Sequence, residues 1–156
     1  TGLDFVENNI KIAKQHAKKK SLKIDYICAD IENIEIKKKF DIIIIFEVLE
    51  HLNDWHNFLL KIKKNLNTNG TIIISTINRN TISKISAIYL AENFLKWIPK
   101  GTHDFNKFIT PKEINDCMEL NRLTFGNSKG LIFDPLSFKW KLSNNTTVNY
   151  FCTYYN

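Results

Sequence analysis

The sequence is short of arginine, glycine, proline and paired cysteine, and each shortage closes off a class of protein. Of 22 basic residues two are arginine, Arg79 and Arg122, although readout of phosphate and guanine favours the guanidinium fork over the lysine ammonium. No nucleic-acid motif is present, and the lysine runs at 18–20 and 37–39 fall where helix ends and turns expose them. The net charge of +6 therefore reads as a solvated face, and no nucleic-acid partner is expected. Five glycines and three prolines, with no Gly/Ser-rich tract and no fixed-period repeat, leave no linker, so residues 1–156 read as a single domain. Cys28, Cys117 and Cys152 are an odd number without paired spacing, which argues against a disulfide framework or a zinc ribbon and for a reducing compartment. No signal peptide opens the chain. The longest apolar run, residues 42–46, is closed by Asp41 and Glu47 and is far short of the roughly 20 residues that span a bilayer.

What is present is enough for a core: 44 % of the residues are hydrophobic and 24 % charged, an ordinary globular balance. Thr1 is not a methionine, and Thr1-Gly2-Leu3-Asp4 reads as a chain already leaving a strand, so a fragment is expected. Val6, Ile10, Ala13 and Ala17 form one stripe of a helix whose last turn is cationic, as the helix dipole prefers. Residues 24–28 read as a short strand. The β-branched and aromatic run 40–46 suits a parallel strand buried on both faces. Asn53 or Asp54 caps a helix bearing Trp55, Phe58, Leu59, Ile62 and Leu66, and Asn69-Gly70 turns the chain into a second buried strand, 71–76. This alternation predicts an α/β sheet.

Residues 82–98 form a long apolar helical stretch with few acids and lysines at 84 and 96. It serves either as a core helix or as a helix lying in a lipid headgroup region. Residues 99–104, with the loop histidine His103, read as an exposed loop or a lid. Thr110-Pro111-Lys112-Glu113 is a capping box opening a helix through Ile114, Cys117 and Met118. Residues 123–133 and 148–155 lack a helical stripe and predict a closing antiparallel hairpin.

Asp4 and Asp30 each end a strand, where a carboxylate either caps the next turn or accepts from the ribose or adenine of a nucleoside cofactor. Glu47, Glu50 and His51 stand at i, i+3 and i+4 after the most apolar strand, spacing that places them on one face of a helical turn. Two carboxylates and an imidazole there could hold a divalent ion or take a proton, or simply face solvent.

Taken in order, Thr1-Gly2-Leu3-Asp4, Phe46-Glu47-Val48-Leu49-Glu50-His51, Ser75-Thr76-Ile77-Asn78-Arg79-Asn80, Pro99-Lys100-Gly101-Thr102-His103-Asp104 with Lys107-Phe108-Ile109 and Pro111, and Val148-Asn149-Tyr150 resemble the class I, S-adenosylmethionine-dependent O-methyltransferases of ubiquinone biosynthesis. The resemblance spans essentially the whole chain. It implies a Rossmann-like sheet with helices on both faces and a C-terminal antiparallel hairpin, in which Asp4 holds the cofactor ribose, Asp30 lies near the adenine and Phe46 lines the cofactor site. It further implies a divalent ion, usually magnesium, on Glu47, Glu50 and His51, with His51 as the alternative direct base. The segment at about 82–104 corresponds to a family insertion, and the resemblance links residues 82–98 to a membrane surface and to a polyprenylated phenol or quinol substrate.

Two departures stand out. The family's Lys-Pro-Gly-Gly turn is here Asn67-Thr68-Asn69-Gly70, and the family's first strand and glycine-rich loop are missing from this sequence. That strand lies between the second and fourth of such a sheet. Unsatisfied buried backbone costs roughly 1 to 3 kcal/mol per group, so residues 1–156 alone are expected neither to fold stably nor to methylate. The complete protein is expected to O-methylate a phenol or catechol on a ubiquinone precursor. Rival readings are a class I methyltransferase of another small molecule, or a non-catalytic scaffold among other ubiquinone-biosynthesis proteins. The expected location is a bacterial cytoplasm at the inner membrane, or the mitochondrial matrix face.

Overall fold

The computed structural model describes residues 1–86, 104–134 and 137–156. The chain divides into two compact units, Thr1–Lys37 and Lys38–Asn156. In the first, β1 (Gly2–Asp4) and β2 (Tyr26–Cys28) pair in parallel, joined by α1 (Glu7–Lys19). The stripe read from the sequence faces inward: Ile10 and Ala17 are buried, and His16, Lys18 and Lys19 complete the last turn.

The second unit is a five-stranded sheet. Its strands are β3 (Phe40–Phe46), β4 (Leu66–Ile77), β5 (Thr124–Asp134), β6 (Lys139–Ser143) and β7 (Asn149–Tyr155), in the order β3-β4-β7-β5-β6. β3 and β4 are parallel, and β7 enters antiparallel to both β4 and β5. The closing pair of strands is therefore antiparallel as expected, and it gains β6, which folds back on the distal part of β5. Asp54 caps α2 (Trp55–Lys63) by accepting from the Asn57 N–H at 3.0 Å. Thr110 and Glu113 form the expected capping box at the start of α4 (Pro111–Leu120), with Ile114, Cys117 and Met118 buried. Of the apolar stretch 82–98, only its start is described, within and just after α3 (Thr81–Lys84); the rest, with His103 and the loop at 99–103, lies outside the described residues.

The core of this unit contains Phe58, Leu59 and Ile62 of α2, Ile72 and Ile74 of β4, and Tyr150, Cys152 and Tyr154 of β7, all at most 8 % exposed. Tyr150 satisfies its phenol by donating to the Ile109 carbonyl at 2.8 Å, and Tyr154 donates to Asn115. All three cysteines are free.

Two expectations change. β3 has one buried face, not two: Ile45 is buried, whereas Ile42, Ile44 and Phe46 on the opposite face are 59, 58 and 47 % exposed. Cover above or below a sheet, not lateral pairing, buries a strand's faces, and among the described residues the Ile42, Ile44 and Phe46 face lacks it. The second change is at Asn69-Gly70, which does not precede β4 but sits within it. The register jumps from Phe40↔Leu66 to Ile42↔Thr71, so residues 67–70 bulge against Asp41. Asn69 takes a φ of 63° there, and a Cβ at Gly70 would lie 2.8 Å from the Asn67 carbonyl oxygen and the Leu66 side chain.

Candidate active site

Within each unit, candidate residues stand at or just after the carboxyl ends of parallel strands. In the first unit Asp4 closes β1, its carboxylate accepting from the Val6 N–H at 2.7 Å and from Asn9 Nδ2 at 3.0 Å. Asp30 follows β2 and accepts from the Glu32 N–H at 3.0 Å and Asn33 Nδ2 at 2.6 Å. Both carboxylates thus serve as local turn acceptors, the bland alternative in the sequence. A carboxylate offers about four lone-pair sites, so each retains capacity for a hydroxyl or amino donor. Their chemistry fits a nucleoside.

In the second unit Phe46 ends β3, its ring half exposed and edge-on to Phe151 at 5.4 Å. An apolar ring at a strand end suits contact with a base or a thioether. The next residue, Glu47, takes a left-handed φ of 51° and accepts from Ser75 Oγ at 2.7 Å. The following turn, Leu49–His51, is 3₁₀ rather than α-helical. The shared helical face expected for Glu47, Glu50 and His51 is therefore not formed: Glu47 precedes the turn with reversed backbone handedness, and His51 is exposed while Glu50 is buried. Among the described residues no group of three His, Cys, Asp or Glu side chains could hold a metal ion.

Glu50 is instead a buried acid, 4 % exposed, accepting from Thr76 Oγ1 at 2.7 Å and sharing a side-chain hydrogen bond with Glu47. Burial, followed by the neighbouring Glu47 charge, pushes its carboxyl up to about 7, against the Thr76 hydrogen bond that favours the ionised form. A carboxyl so placed exchanges a proton near neutral pH, as a general base requires. Ser75 and Thr76, its supporting strand, were not singled out as site residues in the sequence, although two hydroxyls ending an apolar strand carry that signal.

Glu50 lines a cavity of about 260 Å³ walled by Leu49, Leu52, Trp55 and Phe108, with Arg79, Lys107 and Glu113 among its polar groups. Arg79 donates through Nη2 to Glu113 Oε1, and Glu113 Oε2 accepts from Thr110 N and Oγ1, each at 2.8 Å. Burial raises the Glu113 carboxyl, but the Thr110 bonds and Arg79 outweigh it and hold the group below its ordinary range.

The methyltransferase domain family matches residues 1–129. Among individual relatives, a ubiquinone biosynthesis O-methyltransferase of Pelagibacter ubique is 44 % identical over 149 residues, covering 96 % of this chain and 62 % of the relative. One of Bradyrhizobium diazoefficiens is 42 % identical, covering 96 % of this chain and 59 % of the relative. The chain therefore spans about three fifths of the length of these relatives. TehB from Haemophilus influenzae superposes with a TM-score of 0.67 at 14 % identity, covering 99 % of this chain and 48 % of that one. The N-methyltransferase NodS from Bradyrhizobium japonicum, solved with S-adenosyl-L-homocysteine, gives 0.63 at 16 % identity, covering 99 % of this chain and 64 % of that one. At such identities the likeness is one of fold, the class I methyltransferase fold. With strand ends that carry acids suited to a nucleoside and a family match over most of its length, this chain belongs to the methyltransferase domain family.

Proposed function

We propose that the protein carrying this chain transfers a methyl group from S-adenosylmethionine to a phenolic or catecholic hydroxyl on a polyprenylated ring, a step of ubiquinone biosynthesis. The observation that carries this reading is the 44 % identity to the Pelagibacter ubique enzyme, maintained over 96 % of the chain. When bound, the cofactor supplies an electrophilic methyl on a sulfonium. Asp4 is assigned the ribose hydroxyls, Asp30 the neighbourhood of the adenine and Phe46 the apolar wall.

A phenol with a pKa near 10 is a weak nucleophile at neutral pH. Glu50, with its carboxyl raised to about 7, is assigned the phenolic proton as the oxygen–carbon bond forms and the carbon–sulfur bond breaks. His51 is the alternative acceptor. A divalent ion, magnesium in the resemblance, is supported here by the adjacent carboxylates Glu47 and Glu50 alone. His51 does not complete the set, so no step is routed through a metal. A membrane surface is assigned to residues 82–98 on their composition, and other proteins of the same biosynthesis are further candidate partners. Among the described residues no helix is long and apolar enough to cross a membrane.

The test is methyl transfer from labelled S-adenosylmethionine to a short-chain prenylated catechol, with and without chelator, in the protein as its gene encodes it. Product with kcat rising through about pH 7, and that rise abolished in Glu50→Gln, is the expected result. Absence of product despite cofactor binding refutes the substrate, and chelator-insensitive product removes the metal.

A further inference from the structure

The Asn78-Arg79-Asn80 motif follows β4 directly. In the fold it is anchored on both sides of the arginine. Asn78 donates its backbone N–H to the Val148 carbonyl at 2.9 Å and its Nδ2 to the Thr146 carbonyl at 3.0 Å. Asn80 donates Nδ2 to the Thr147 carbonyl at 2.6 Å and accepts from the Ser83 N–H at 2.9 Å. Ser83 returns a contact to the Asn80 N–H at 3.2 Å. The chain leaving β4 is thus pinned to residues 146–148 and to the start of α3, with Arg79 held between the pins.

Its guanidinium reaches Glu113, whose other oxygen is occupied twice by Thr110. An ion pair this exposed, 36 and 37 % for the two side chains, adds at most about 1 kcal/mol to stability. Five backbone and side-chain bonds serving such a pair are out of proportion to that gain. Arg79 lines the same cavity as Glu50, Trp55 and Phe108. Guanidinium presents five N–H donors in a planar fork, and Glu113 takes one of them, leaving a flat donor edge that matches two adjacent oxygens. The cavity, at about 260 Å³, is below the roughly 300 to 1,000 Å³ of sites that enclose drug-sized ligands. That volume accommodates a ring.

Resting on the function proposed above, we propose that Arg79, oriented by Glu113, binds the paired ring oxygens of a catechol-class substrate and sets the preference for a catechol over a monophenol. Glu113 is the positioning residue, and Thr110 fixes Glu113.

The experiment uses the protein as its gene encodes it, a short-chain prenylated catechol and its monomethyl ether as probes, and S-adenosyl-L-homocysteine affinity as control. Arg79→Met is expected to weaken catechol binding to the protein saturated with S-adenosyl-L-homocysteine, and to raise KM, on the order of 10- to 100-fold. The monomethyl ether should respond less and the control affinity stay within about twofold, while Arg79→Lys restores charge without the fork and recovers only part of the loss. Should Arg79→Met fail to fold, Glu113→Gln keeps an acceptor for Thr110 while loosening Arg79, and is expected to raise the catechol KM severalfold with the thermal midpoint nearly unchanged. Wild-type catechol affinity and KM in the folded variants would overturn the assignment while leaving the methyltransferase reading intact. A protein that binds catechol through Arg79 yet transfers no methyl would overturn the reading and leave the Arg79 site standing, and a wild type that binds no catechol overturns both.

Discussion

The candidate acids of the first unit, Asp4 and Asp30, are held by their own neighbours in the chain, whereas Glu47 and Glu50 of the second are held by a distant strand. Asp4 and Asp30 take their donors from residues two to five positions away, while Glu47 and Glu50 take theirs from Ser75 and Thr76, 28 and 26 positions away. Local capture leaves a carboxylate near water and free to accept more. Long-range capture draws Glu50 to 4 % exposure and changes when it ionises. A carboxylate thus serves as a passive acceptor in one unit and as a proton-exchanging group in the other.

The largest expected effect follows from that burial. A carboxyl raised from 4.5 to about 7 by the folded state contributes stability that is complete below pH 4.5 and is lost as pH rises through 7. At about 1.4 kcal/mol per pKa unit this amounts to about 3 kcal/mol. Glu50→Gln should therefore raise the chemical-denaturation stability at pH 8 by up to about that amount while losing its advantage near pH 4, even as turnover falls. A variant no more stable than wild type at pH 8 would mean that Glu50 is not a strained buried acid. Next in size is Asp4→Ala, expected to weaken S-adenosyl-L-homocysteine binding on the order of 10- to 100-fold by calorimetry. Asp4→Asn, which still accepts from Val6, separates the loss of the turn from the loss of charge. Thr110→Ala removes a helix cap worth about 1 kcal/mol and should lower the thermal midpoint by roughly 2 to 4 °C. Smallest is Ser75→Ala, expected within about 0.5 kcal/mol in urea denaturation, because Glu47 is exposed and loses a partner it can replace with water.

How much could be read in advance follows the same division. The stripe of α1, the Asp54 and Thr110 caps and the bounds of β3 depend on residues within a few positions of one another, and those were legible. The arrangement of Glu47, Glu50 and His51 was not: Glu47 and Glu50 meet by a side-chain hydrogen bond across a left-handed residue and a 3₁₀ turn, while His51 is left exposed. The Asn69-Gly70 signal was read as a turn before a strand, whereas pairing with β3 on both sides of it makes it a bulge within the strand. The exposed face of β3 was hidden for a similar reason: an uninterrupted apolar run does not say on which side of a sheet a neighbour lies. The convergence of Arg79, Glu113 and Glu50 on one cavity joins the end of β4, the start of α4 and the turn after β3, and no sequence window contains all three.

The phenols locked inside β7 also provide an optical clock for the fold. Burial moves Tyr150 and Tyr154 well above the ordinary tyrosine range, and each is tied by a hydrogen bond to the segment around α4. In strong alkali they should stay colourless as phenols while the sheet persists, then turn to phenolate together when it opens. The rate at which tyrosinate absorbance grows after a jump to high pH would measure how often that sheet comes apart.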